Sequence, residues 1–226
     1  MRLPDTARAA YAEAGLVFAL TVGTSLGSSF WFGAAEREAA AFTNAHLISV
    51  VVSEVVFVAL LVPWLRRCGW SPSEVAGAPE PLDVLRGAGL WLLTMICLAA
   101  TWAIFYVLQP DAAQALSLER PFTGAPASPA ISVVTSVVNP VFEEFLWLGY
   151  GVTRLEPRLG IRRAALLSVG LRLLVHVYQG PWAVLSILPL AVVFTWYYGR
   201  TRRLWPVIVA HVLFDAFGLA QRLATR

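Results

Sequence analysis

Seven stretches of this chain are long and apolar enough to cross a lipid bilayer, and this restricts its fold more than any other feature. A bilayer presents about 30 Å of hydrocarbon, which an α-helix crosses in about 20 residues. Such runs lie at roughly 15–35, 45–65, 87–108, 129–155, 163–180, 181–200 and 204–220. Inside hydrocarbon every backbone N–H and C=O must find a partner within the protein, so only helices and closed barrels span, and runs of this length select the helix. The expected fold is therefore all-α, a polytopic transmembrane bundle of about seven helices. With 58% of the 226 residues hydrophobic and 14% charged, no room remains for a soluble domain.

Charge distribution orients such a bundle. All 17 basic residues are arginine, and basic residues gather in cytoplasmic segments. With the N-terminus inside, the inner segments hold Arg2, Arg8, Arg66, Arg67, Arg86, Arg154, Arg158, Arg162, Arg163, Arg200, Arg202 and Arg203, and the outer ones Arg37, Arg120, Arg222 and Arg226. The bias predicts an inside N-terminus and an outside C-terminus. A lysine-free composition reads as codon bias, so the basic balance does not mark a nucleic-acid partner. The first run lacks a clear small-residue cleavage site and reads as a retained span rather than a signal peptide.

Two longer connections, "SPSEVAGAPEP" between Arg66 and Arg86 and "SLERPFTGAPASP" between Gln109 and Ser128, are rich in proline, glycine and small residues, as loops are. The second divides the chain into residues 1–128, with three spans, and 129–220, with four. Cys68 and Cys97 lie at different expected depths and imply no disulfide.

Ionisable residues inside spans face protein or water and mark function by default, because each costs about 2.5–3.5 kcal/mol at the bilayer centre. Here they are Glu54, Glu143, Glu144, Arg172, His176, His211 and Asp215. Arg172 with His176, and His211 with Asp215, are four apart and share a helix face. Glu143 and Glu144, as neighbours, point about 100° apart, so they serve different partners. Asn139-Pro140 removes a backbone donor and can kink the helix, opening room for water beside Glu143. Glu54 reads first as a helix-packing partner and second as an accessory acid. His46 reads as interfacial. A polar network gluing helices together is the alternative for the whole set; its concentration in residues 129–220 favours chemistry. A transporter would use similar residues, but the internal repeat that many transporters carry is missing.

Three segments, "FEEFLWLGYG", "LRLLVHVYQG" and "GRTRRLWPVIVAHVLFDAFG", resemble the CAAX-protease and bacteriocin-processing (CPBP) family of intramembrane proteases. Its motifs are a Glu-Glu pair followed three residues later by Arg, then Phe-x-x-x-His, then His with Asn or Asp four residues on. The resemblance covers residues 129–220 and implies an intramembrane endopeptidase acting on a membrane-associated protein or peptide within the bilayer. It makes Glu143 and His176 the pair that activates water, Glu144 a supporting carboxylate, and His211 and Asp215 the groups that polarise the scissile carbonyl. It also implies a multi-pass protein of a prokaryotic plasma membrane.

The family is often called metalloprotease, and Glu143, His176 and His211 could supply three ligands to a divalent ion such as zinc, leaving a fourth position for water. No His-Glu-x-x-His segment is present, and metal-free catalysis is slightly favoured. Two positions depart from the pattern: Leu148 stands where the first motif has Arg, and Arg172 where the second has Phe. Either the chain is an inactive relative that works as an immunity or scaffold protein, or Arg172 replaces the missing cation and pairs with Glu144.

Overall fold

The computed structural model describes residues 7–31, 43–111, 127–177 and 181–224, and among them there are helices and no strand. Helix α1 (Ala7–Trp31) precedes α2 (Asn44–Arg67), the short α3 (Pro72–Ala76) and α4 (Pro81–Leu108). Next come α5 (Pro129–Glu144), a π-helical segment (Phe145–Val152) and α6 (Thr153–Leu159), which form one continuous rod. Then follow α7 (Ile161–Val175), α8 (Pro181–Thr201) and α9 (Trp205–Ala224). The fold is an all-α bundle. Among the described residues three helices are long and apolar enough to cross a membrane: α2 with 24 residues, α4 with 28, and the α5–α6 rod with 31. They mark an integral membrane protein.

Local chemistry sets the helix ends. Thr43 accepts a hydrogen bond from the His46 N–H at the start of α2, and Ser128 accepts one from Ile131 at the start of α5, each satisfying a donor that a first turn leaves free. Pro81 and Pro129 open their helices where a missing N–H costs nothing. Gly160 takes φ 76° between α6 and α7, a left-handed turn suited to a residue without Cβ, and folds α7 back along the rod.

The rod is the centre of the molecule. From Leu146 to Val152 every residue of the π segment is buried. Phe18 of α1 stacks on Trp147 at 6.1 Å and meets Tyr150 edge-on. Trp70 donates through Nε1 to the Gly149 carbonyl, and Ser168 of α7 donates to the carbonyl of Trp147. On the other side, α4 lies against α9 with close backbone approach: a Cβ on Gly87 would come within 2.6 Å of Val209 and 2.9 Å of the Pro206 carbonyl.

Three readings of the sequence need correction. The connection from Arg66 to Arg86 is not wholly loop; it contains α3, which packs on the π segment, with Val75 beside Gly149. The span expected at 163–180 ends as a helix at Val175, with His176 as its C-cap. Its 15 residues reach only about 22 Å at 1.5 Å per residue, so α7 stops short of a full crossing. Arg154, counted with the inner segments, is fully buried and paired with Glu13. The connection around Arg120, and Arg2, Arg37 and Arg226, lie outside the described residues.

Candidate active site

Glu143 and Glu144 end α5, and their divergent directions divide the site. Glu143 Oε1 accepts from the Asn139 side-chain amide at 3.4 Å and lies 3.9 Å from Nε2 of His176. That gap is too long for a direct hydrogen bond and short enough for both groups to touch one water. The tautomer of His176 follows from its other nitrogen. Nδ1 sits 2.7 Å from the carbonyl of Arg172, and a carbonyl only accepts, so Nδ1 carries a hydrogen and Nε2 is the nitrogen that faces Glu143.

Glu144 is completely buried and joins three helices. Its Oε2 accepts from Nη2 of Arg172 at 2.7 Å, and its Oε1 lies 2.7 Å from Nδ1 of His211. The remaining nitrogen of His211 faces Asp215 Oδ1 at 3.6 Å. His211 is buried rather than turned to lipid. All six of the residues singled out in α5, α7 and α9 are thus joined in two linked sets: Glu143 with His176, and Arg172, Glu144, His211 and Asp215 in a chain. The backbone of Arg172, through its contact with His176, connects them.

Leu148, at the position of the absent arginine, is fully buried in the π segment, so no cation enters the site from that turn. The cation that pairs with Glu144 is instead Arg172 on α7. Residues 125–217 match the model of a family described as type II CAAX prenyl endopeptidase Rce1-like. The matched segment holds all six of the site residues and is similar to that family. No curated protein and no solved structure matches the chain.

Two cavities adjoin the site. One, of about 130 Å³, is bordered by Glu143, His176, Asn139, Glu54, Ser53 and Trp147. The other, of about 450 Å³, is almost wholly apolar and runs between α2 and α5 past Val58, Val62, Val138 and Val141 to Trp70. They share Glu54, Phe57, Phe142 and Leu146, and Phe57 stacks on Phe142 at 6.2 Å where they meet. Helix α5 continues through Pro140 to Glu144 without a break in its helical run.

A metal-dependent reaction would ask Glu143, His176 and His211 to converge on one ion. Among the described residues no three His, Cys, Asp or Glu side chains are arranged to hold one. The outer nitrogen of His211 is turned to Asp215. The proposed ligands do not fit a metal ion, and no step below passes through one.

Two features of this region were not evident from the sequence. Asn139, considered only with Pro140 as a kink, donates to Glu54 at 2.6 Å as well as to Glu143; an amide one helical turn before an acid was the available signal. Tyr150 and Arg154 hold Glu13 of α1. They too stand four apart, and Arg154 lies within the apolar run drawn at 129–155.

Proposed function

We propose that the protein is an intramembrane endopeptidase that hydrolyses a peptide bond of a membrane-associated protein or peptide, with residues 129–220 as its catalytic core. The observation that carries this reading is the pairing of Glu143 with the Nε2 face of His176 beside a small polar cavity. In this mechanism water sits between the two groups and Glu143 removes its proton. The resulting hydroxide attacks the scissile carbonyl carbon, and Glu143 returns the proton to the departing amine, so water and peptide become acid and amine.

His211 stabilises the developing oxyanion. To donate from Nε2 while Nδ1–H holds Glu144, the ring must be doubly protonated. Carboxyl groups on both sides of the ring, Glu144 at Nδ1 and Asp215 at Nε2, favour that state. Fixed donors of this kind stabilise a tetrahedral intermediate without reorganisation. Arg172 holds Glu144 in place through their 2.7 Å contact. It acts through Glu144 and does not touch the reacting atoms.

Comparison of membrane peptidomes from cells carrying the wild type and Glu143→Gln tests the reading. A general base contributes about 10²- to 10⁴-fold, so the variant should fold normally and its membranes should accumulate uncut substrate. Identical peptidomes with equal protein levels would defeat it. For orientation, we propose an inside N-terminus and an outside C-terminus. A reporter at Arg158 should read inside and one after Arg226 outside; both on one side would reject that topology.

A further inference from the structure

Glu54 belongs to α2, outside the Rce1-like segment, and none of the steps above uses it. It is buried, and its Oε1 accepts a 2.6 Å hydrogen bond from Nδ2 of Asn139. The same amide nitrogen is 3.4 Å from Glu143 Oε1. A primary amide nitrogen carries two hydrogens, so one Asn139 group holds two carboxylates from two helices at once. Asn139 and His176 address the same oxygen of Glu143, so the amide fixes the carboxylate from one side while the imidazole approaches from another.

A polar contact that only glues α2 to α5 would leave no atom unmet, because buried polar groups are normally satisfied. Glu54 breaks that rule. Its Oε2 is buried and has no hydrogen-bond partner among the described residues. The carboxyl also borders both cavities at their junction. Beyond Asn139, the charged groups within electrostatic reach are Glu143, Asp215 and His211, all members of the site.

We propose that Glu54 is a positioning residue: it orients the Asn139 amide, and through that amide it sets the direction of the Glu143 carboxylate. The kinetic part of the test rests on the endopeptidase reading; the labelling part does not.

The full chain is reconstituted in lipid nanodiscs as wild type, Glu54→Gln, Glu54→Leu and Asn139→Leu, and folded protein is quantified for each. With an internally quenched, farnesylated CAAX peptide as probe, Glu54→Leu should lower kcat per folded molecule by about tenfold or more with little change in KM, since small misplacements of a catalytic group are costly. Glu54→Gln, whose carbonyl oxygen still accepts from Asn139, should recover most of the loss. A purely structural role would instead lower the folded yield and leave kcat per folded molecule unchanged, which would overturn the proposal.

The second readout is dicyclohexylcarbodiimide, an apolar reagent that converts accessible protonated carboxyl groups to N-acylureas, located by peptide mass spectrometry. Freeing Glu143 from the amide should change its labelling by about threefold, the size of one modest hydrogen bond, in both Glu54→Leu and Asn139→Leu but not in Glu54→Gln. Equal labelling of Glu143 in wild type and both leucine variants would refute the coupling, whether or not the peptide is cleaved. Failure of the wild type to cut the peptide, with the labelling change present, would count against the endopeptidase reading alone. If Glu54→Leu does not fold, Asn139→Leu breaks the same link from the other side.

Discussion

Two arginines are buried in this bundle, and they are used in opposite ways. Arg154 grips Glu13 with two parallel bonds, Nε to Oε1 and Nη2 to Oε2, both 2.7 Å, and also donates to the carbonyl of Cys68. Tyr150 closes the cluster with a 3.0 Å bond to the same acid. Arg172 makes one 2.7 Å hydrogen bond to Glu144, and its Nε and Nη1 have no partner among the described residues. The first arrangement satisfies its charges as completely as a fork-shaped guanidinium allows. The second leaves donors unmet in a place where that is expensive, and shares its acid with a histidine. A saturated pair fastens α1 to the rod; an unsaturated one belongs to the site.

The largest effect on stability should come from cutting the saturated pair. Arg154→Leu leaves Glu13 the neutral Tyr150 donor but removes its countercharge, and breaking a buried pair in this way costs about 3–5 kcal/mol. The thermal midpoint and folded yield should fall sharply, with cleavage per folded molecule preserved. Normal stability in this variant would erase the contrast.

Arg172→Leu should show the reverse emphasis. Glu144 keeps His211 as a partner, so the stability loss should be smaller, about 1–3 kcal/mol for a lost charged hydrogen bond. Cleavage per folded molecule should drop about tenfold to a hundredfold as Glu144 and His211 lose their alignment. Adding Leu148→Arg to Arg172→Phe sharpens the point. If the cation has only moved from one helix to the next, this pair of changes should recover activity lost in Arg172→Leu; a double variant no better than the single one would reject the exchange.

The smallest effect should be that of Tyr150→Phe. Losing one neutral donor to an acid already held by Arg154 should cost about 0.5–1.5 kcal/mol and leave cleavage unchanged, as thermal unfolding and the peptide assay would report together.

The same contrast explains what could be read from the sequence. The Glu144 and Arg172 contact was legible because two departures from a motif pointed at each other: a lost cation in one helix and a gained one in the next. The divergence of Glu143 and Glu144 followed from helical geometry alone. The Glu13 and Arg154 pair was not legible, because 141 positions separate its members and Glu13 precedes the run assigned to the first span. The π segment left no trace either. Its residues, FLWLGYGV, are uniformly apolar or small, so there is no alternation from which a change of helical period could be noticed. The early end of α7 was hidden because Val177 and Tyr178 follow His176 with no helix breaker between them, and the obvious breaker is the later Gly180-Pro181 pair.

The contact at Gly87 ties the unmotifed half of the chain to the chemistry. The spacing of α4 and α9 there is gauged by a hydrogen atom, since even a methyl group would meet Val209 and the Pro206 carbonyl. His211 follows Val209 by two positions, and Asp215 lies one turn further on. Any enlargement at position 87 must therefore be absorbed by moving the helix that carries both. Sequence drift along the lipid-facing side of α4 has little to disturb, whereas at this one position it is transmitted directly to the side of the site that carries His211 and Asp215.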